Sequence, residues 1–406
     1  MADNRLFKRT TFTFIGDVVT GKELVSTKRL SDTSKWFRTR LNFGVKCENN
    51  TQFLNIEHLH EPNNMTCKIF FEDGTSQDIA LKDTINPSII SKVSDMNKII
   101  IDLEQDFQKK TEYTQLYFKR RTHQIKEDKT DDDIAKIKEY TDLINELANN
   151  RVEFIHMKDV INFLENSLGL IKDCKIKVTG NVKPNFYNGK NNLQYIPTRI
   201  ELVPKDTPSQ LKIFVDFFFD KDGISDMEEE KRMIFNGYMG SVTKKADRLY
   251  PLTTILDYSK VNTDNEEELN VLKYLKSQFA IKDKEQIHKI GLELNIINGS
   301  QVVEFDETCL TDNQLMGIRL GLNTIEDFRP KGTVYGHRIQ ELRIAKPDLR
   351  NYPEGAIEVF DIDELENYIA TDDSDKKNTE VRNNQTETKE VKDSNEDLMA
   401  KLFGQI

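Results

Sequence analysis

The stretch "SKWFRTRLNFGV", Ser34 to Val45, holds the only tryptophan of a 406-residue chain, with two arginines close behind it. Its residues alternate. Phe37, Thr39, Leu41, Phe43 and Val45 fall on one side, and Trp36, Arg38, Arg40, Asn42 and Gly44 on the other, with Lys46 next in line. A period of two predicts a strand with one face in a core. The opposite face, made of cations and one large ring, has no place in a core and needs another explanation.

The strands around it carry the same pattern. RTTFTFIGDVV (9–19) precedes it, and QFLNIEHL (52–59) and CKIFFEDG (67–74) follow, which predicts a small barrel that KIIIDL (98–103) closes or edges. A charged run, KRRTHQIKEDKTDDD (119–133), then leads into a helix ending near residue 150, and a second helix is expected over 158–168 with Gly169 as its stop. After residue 172 the strand pattern returns over 174–182, 193–203, 211–219, 232–242 and 250–261. Helices are predicted over 265–279 and 311–328, strands over 290–297 and 301–305 around an Asn298-Gly299 turn, and a last strand over 333–344. Beyond residue 371 nothing is periodic, and disorder is expected.

The chain carries a net charge of −11, which argues against nucleic acid until its distribution is considered. Residues 354–406 hold fifteen acidic and six basic side chains, so residues 1–353 are left near −2, and the body can present basic faces. No run of about 18 apolar residues is present, and the N-terminus lacks a signal-peptide core, so a soluble cytoplasmic protein is expected, in the host cytoplasm if viral. The four cysteines are too far apart for a zinc motif, and no disulfide, metal or other cofactor is expected.

An internal echo organises the strands. FIGDVVTGKE (14–23) resembles VTGNVKPNFYNGK (178–190) at a shift of 164, and KWFRTRLNFGV (35–45) resembles LQYIPTRIELV (193–203) at a shift of 159. This aligns Trp36 with Tyr195 and Arg40 with Arg199, and predicts two copies of one β unit, each with an aromatic and an arginine on the outward face of its second strand.

Enzymatic motifs fare poorly. Gly16 to Lys22 matches a GxxxxGK frame, but Glu23 stands where a hydroxyl residue should hold magnesium and no helix starts there. Asp220-Lys221-Asp222-Gly223 has its glycine too early for a calcium loop. No catalytic constellation is evident among the histidines, so the chain is expected not to be an enzyme.

Cations interleaved with aromatics remain. Single-stranded nucleic acid offers charged phosphates and flat base faces, so a binder needs Arg or Lys beside stacking rings. Trp36, Arg38, Arg40, Lys46 and Phe53 fit this in the first unit. Phe186, Tyr187, Lys190, Tyr195, Arg199 and Phe214 fit it in the second, with Lys244, Lys245 and Arg248 extending the track. At these residues the chain resembles oligonucleotide-binding (OB-fold) single-stranded DNA-binding proteins, in particular those of tailed bacteriophages and the replication-protein-A class. The carriers are "FIGDV" and "VTGNV", the segment "NFYNGK", and the strands "KWFRTRL" and "LQYIPTRI". The resemblance implies a mainly β protein with helical insertions: two OB-like barrels in tandem at 1–118 and 171–353, a helical connector at 119–170, and an acidic flexible tail at 354–406. It also implies non-sequence-specific binding of single-stranded DNA, with RNA as a second possibility, in replication, recombination or repair. A hydrophobic tail tip, Leu398, Met399, Leu402 and Phe403, would recruit protein partners. A phage structural or assembly protein, or an OB-containing accessory subunit of a nucleic-acid-processing enzyme, are the alternatives.

Overall fold

A computed structural model describes residues 6–62, 65–147, 150–242, 247–262, 264–302, 307, 310–329, 335–348 and 357–370. The first third contains β1 (Thr11–Arg29), β2 (Phe37–Cys47), β3 (Asn50–Phe53), β4 (Ile56–His60), β5 (Thr66–Phe70), β6 (Ser76–Ala80), α1 (Pro87–Ile90) and β7 (Ile99–Asp102). Next come α2 (Phe107–Gln124), α3 (Asp131–Leu147), β8 (Arg151–Phe154) and α4 (Met157–Ile171). The remainder forms β9 (Lys175–Tyr187), β10 (Lys190–Leu202), β11 (Gln210–Phe219), β12 (Ile224–Met227), β13 (Arg232–Ser241), β14 (Arg248–Asp257), α5 (Glu266–Gln278), β15 (Gln286–Val302), α6 (Asp312–Arg319), β16 (Tyr335–Pro347), β17 (Glu358–Asp361) and α7 (Ile362–Leu365).

The protein is mainly β with helices, as expected, but its barrels are not two tandem units. Fifteen strands join one sheet, and β5 with β6 forms a separate two-stranded one. β1 pairs antiparallel with β9 and β11, and β3 meets β15 at Asn50, so strands from 1–118 and 171–353 are interleaved. Two closed circuits result. One runs β1–β2–β3–β15–β11 and back to β1, the other β11–β13–β14–β16–β15 and back to β11. Closure removes sheet edges, and sharing β11 and β15 fuses the two circuits over a core that draws on both segments.

Turn chemistry is the second departure. Asn298-Gly299 lies within continuous β15, where Gly299 pairs with Asn50 and Ile339 and a Cβ would collide with the Asn49 carbonyl. The tight hairpin is instead Asn188-Gly189, with φ of 51° and 69°, joining β9 to β10 with Tyr187 opposite Lys190. The GxxxxGK frame is likewise strand: Gly16 lets β1 approach the Lys46 carbonyl of β2 where a side chain would clash. Asp220 to Gly223 forms a turn in which the Gly223 N–H donates to Asp220 Oδ1 at 2.7 Å.

The helical segment begins earlier than the charge run implied, since α2 starts at Phe107, capped by Asp106, whose carboxylate accepts from the N–H groups of Gln108 and Lys109. Part of the segment expected to be a flexible tail belongs to the fold. Residues 357–370 join the fold: β17 pairs with β15, and Leu365, fully buried, packs with Phe7, Phe218, Leu249 and Ile287. Leu398, Met399, Leu402 and Phe403 lie outside the described residues. Among the described residues no helix is long and apolar enough to cross a membrane.

Candidate nucleic-acid interface

The alternation in β2 holds. Leu41, Phe43 and Val45 are buried, while Trp36, Arg38 and Lys46 are exposed and Arg40 is half-buried. β1 continues past the barrel and pairs with β2 as a long hairpin, placing Lys28 opposite Arg38 and Ser26 opposite Arg40. Its loop is closed by the Leu30 N–H donating to the Trp36 carbonyl, and the Trp36 N–H donates to Ser34 Oγ, both at 3.0 Å. Trp36 stays 43% exposed. Phe53, opposite Gly44, is half-buried on the same side as Arg38 and Arg40.

Charge separates this hairpin from the rest of the sheet. Residues 18–46 hold seven cations and two carboxylates. Among the described residues Lys28, Lys35, Arg38, Arg40 and Lys46 have no ion-pair partner, although Asp17 stands across from Lys46 and Glu57 across from Arg40. Arg40 also keeps a buried Nε–H with no acceptor. Several cations elsewhere are neutralised: Lys177 and Arg199 by Glu201 at 3.1 Å each, Lys212 by Glu293 at 2.6 Å and Arg343 by Glu341 at 2.8 Å within the sheet, and Lys276 of α5 by Asp226 at 2.6 Å. Burial pushes the Glu201 carboxyl up, but Arg199, Lys177 and Lys110 outweigh it and hold it below the usual carboxylate range. Such compensated pairs have little charge left for a ligand.

In the second unit several expected residues move. Tyr195 is only 5% exposed, its ring 5.6 Å from Phe12 and 5.1 Å from Phe14, and burial pushes its hydroxyl pKa up. The cause is a register shift between Pro197 and Arg199, a β-bulge that reverses which side chains face inward. Strand pairing also corrects the echo. Asp17 faces Lys46 in the first hairpin, and its counterpart Asn181 faces Ile196 in the second, so the second strands correspond at a shift of 150. Tyr195 then takes the place of buried Val45, and the counterpart of Trp36 is Phe186.

Phe214 is buried too, because β11 belongs to both circuits and is covered on both faces. Arg248 donates to the Asn367 carbonyl at 3.4 Å and so braces the 357–370 segment. Phe186 is half-buried with its ring 6.2 Å from Tyr250. Lys244 and Lys245 lie outside the described residues. What stays exposed is the tip of the β9–β10 hairpin: Tyr187, 66% exposed, with Lys190, and Lys183, which the sequence reading passed over. No carboxylate occurs between Asp173 and Glu201, a signal that was legible in the sequence.

No family model matches this chain, and no curated protein matches it. Among solved structures it is similar to a deletion mutant of the single-stranded DNA-binding protein from Thermus aquaticus, with 8% identity and a TM-score of 0.27, over 71% of this chain and 87% of that one. The functional reading is therefore carried by the residues of this chain.

Proposed function

We propose that this protein binds single-stranded DNA without sequence preference and without catalysis, using the outward face of the β1–β2 hairpin as its main contact. The observation that supports it is a face of unpaired cations, Lys28, Arg38, Arg40 and Lys46, flanked by the exposed ring of Trp36. Phosphates supply the acceptors these cations lack, and a base stacks on the indole. The acid-free β9–β10 tip, with Lys183, Tyr187 and Lys190, adds a second contact of the same chemistry. The setting proposed is replication, recombination or repair, with the tip at Leu398, Met399, Leu402 and Phe403 recruiting protein partners.

Since Trp36 is the only tryptophan, its fluorescence reports on the site directly. Titration with oligo-dT is expected to quench it, with affinity falling as salt rises. Duplex DNA is expected to bind more weakly, and single-stranded RNA shows how far the site prefers DNA. An unchanged tryptophan signal with bound oligonucleotide, or binding insensitive to salt, refutes the assignment.

A further inference from the structure

The opposite face of the same hairpin carries a different feature. Where β2 and β4 extend beyond the barrel, α4 packs across them, and a recess of about 300 Å³ lies between. Its apolar walls are Met65, Leu81 and Ile161, and its polar groups are Thr39, His58, His60, Lys158 and Asn162. Along one wall runs a row of rings. Phe37 and His60 stack at 6.0 Å, His60 and His58 at 5.0 Å with an interplanar angle of 11°, and His156 meets His58 edge-on at 4.8 Å. The Arg29 guanidinium covers the Phe37 end at 5.3 Å.

Three features narrow what would fit. His60 Nδ1 is buried with no hydrogen-bond partner among the described residues, and the stacked rings turn their edges to the recess. Burial, with His156, His60 and Lys158 nearby, lowers the His58 pKa to about 4, so that ring is neutral at physiological pH. His156 Nδ1 is occupied as the cap of α4, accepting from the Lys158 N–H at 3.3 Å, and no group of metal-binding geometry is found among the described residues. Among the described residues Lys158 has no carboxylate partner, and neighbouring Asp159 is buried and accepts from Thr84 Oγ1 at 2.6 Å.

We infer that this recess binds the base of a nucleotide, held between the ring edges of His58 and His60 and the apolar wall of Met65, Leu81 and Ile161, bonded at its own edge by Asn162, with its phosphate on Lys158. The recess has the size, apolar lining and few convergent polar groups of a small-ligand site. Two sources supply this chemistry, a free nucleotide or a base of a bound strand, and only the second rests on the function proposed above. For a strand, Arg29 and Lys35 line the neighbouring depression at the Phe37 end and would meet the next phosphates.

The test uses the full chain and follows the histidine ring nitrogens by NMR during titration with dAMP, deoxyadenosine and ribose 5-phosphate. The His60 and His58 nitrogens are expected to shift with the nucleotide and the nucleoside but not with ribose 5-phosphate alone. Lys158→Gln should weaken dAMP by about tenfold while leaving deoxyadenosine unchanged, the loss of one charged hydrogen bond. Met65→Trp, at a rim position 58% exposed, should block both without touching the core. Absence of any shift with nucleotide or oligonucleotide, or binding indifferent to both substitutions, overturns the inference. Salt-dependent oligonucleotide binding that persists in Met65→Trp, followed by gel shift because this variant carries a second tryptophan, would leave strand binding standing while the pocket assignment fails. Nucleotide shifts without oligonucleotide binding would establish the free nucleotide as the ligand and refute strand binding instead.

Discussion

Replacing Arg38 and Arg40 together by Gln tests whether unpaired charge is what makes the β1–β2 hairpin a contact surface. Four cations on that face, Lys28, Arg38, Arg40 and Lys46, have no ion-pair partner among the described residues. If each meets one phosphate, log K for a single strand should fall with log salt at a slope of roughly −2.8, a loss of about 50-fold between about 50 and 200 mM. Removing two contacts should bring the slope to roughly −1.4 and the loss to about 7-fold. Neither arginine supports the core, so the folded state should be little affected. The controls are Arg199→Gln and Lys346→Gln, which remove cations already within reach of Glu201 and Glu293 and should leave the slope where it was. Tryptophan-quenching titrations at four salt concentrations measure all three variants. Equal slope changes in the controls and in the double variant, or none in any, would show that pairing within the sheet does not decide which cations bind.

Two further outcomes concern stability. His58 has a pKa of about 4 in the fold against an ordinary 6.5, so between these values the unfolded chain binds more protons and stability is lost as pH falls through that window. The full shift corresponds to ~3 kcal/mol, and because the ring is half exposed ~1–2 kcal/mol is expected. Denaturant unfolding of the natural chain and of His58→Gln from pH 7.5 to 4 should show the variant losing less, and parallel curves would exclude the mechanism. Tyr195→Ala should cost about 3–5 kcal/mol, as a large core truncation does, whereas Trp36→Ala should leave stability within about 0.5 kcal/mol. A fully stable Tyr195→Ala with impaired oligonucleotide binding would return that residue to the surface.

How far the sequence could be read depended on whether local pattern and pairing agree. β2 was legible because one period runs unbroken from Phe37 to Val45. β10 was not, since the bulge after Pro197 reverses the faces within the strand and no single period marks it. The two Asn-Gly pairs look alike locally. What distinguishes them is distant: Lys175–Tyr187 and Lys190–Leu202 pair with each other over their length, whereas the residues around Gly299 are held by β3 and β16. α2 escaped notice because it buries no residue fully, leaving no apolar stripe to detect. The loss of Arg199 as a free cation was likewise hidden, because Glu201 lies two residues along the same strand and only a shared face brings the charges together.

The echo itself has a geometric meaning. A shift of 164 carries Phe14 onto Val178, and in the antiparallel β1–β9 pair Phe14 also stands opposite Val178, with Gly16 opposite Ile176 and Phe12 opposite Gly180. Both relations hold together only if a local two-fold axis passes between Phe14 and Val178. Such an axis makes the two hairpins equivalent in their first strands and sends their tips in opposite directions along the pair. Gly16 and Gly180 serve the same purpose in each, letting the first strand approach the second where a Cβ would strike a carbonyl. The hairpins differ afterwards, because the second is shorter by the fourteen residues that separate the shifts of 164 and 150. That difference puts Trp36 on a long arm and Tyr187 on a short one, both exposed. The pairing that makes the hairpins alike therefore also holds their tips apart, and one strand can touch both only by running along the β1–β9 direction.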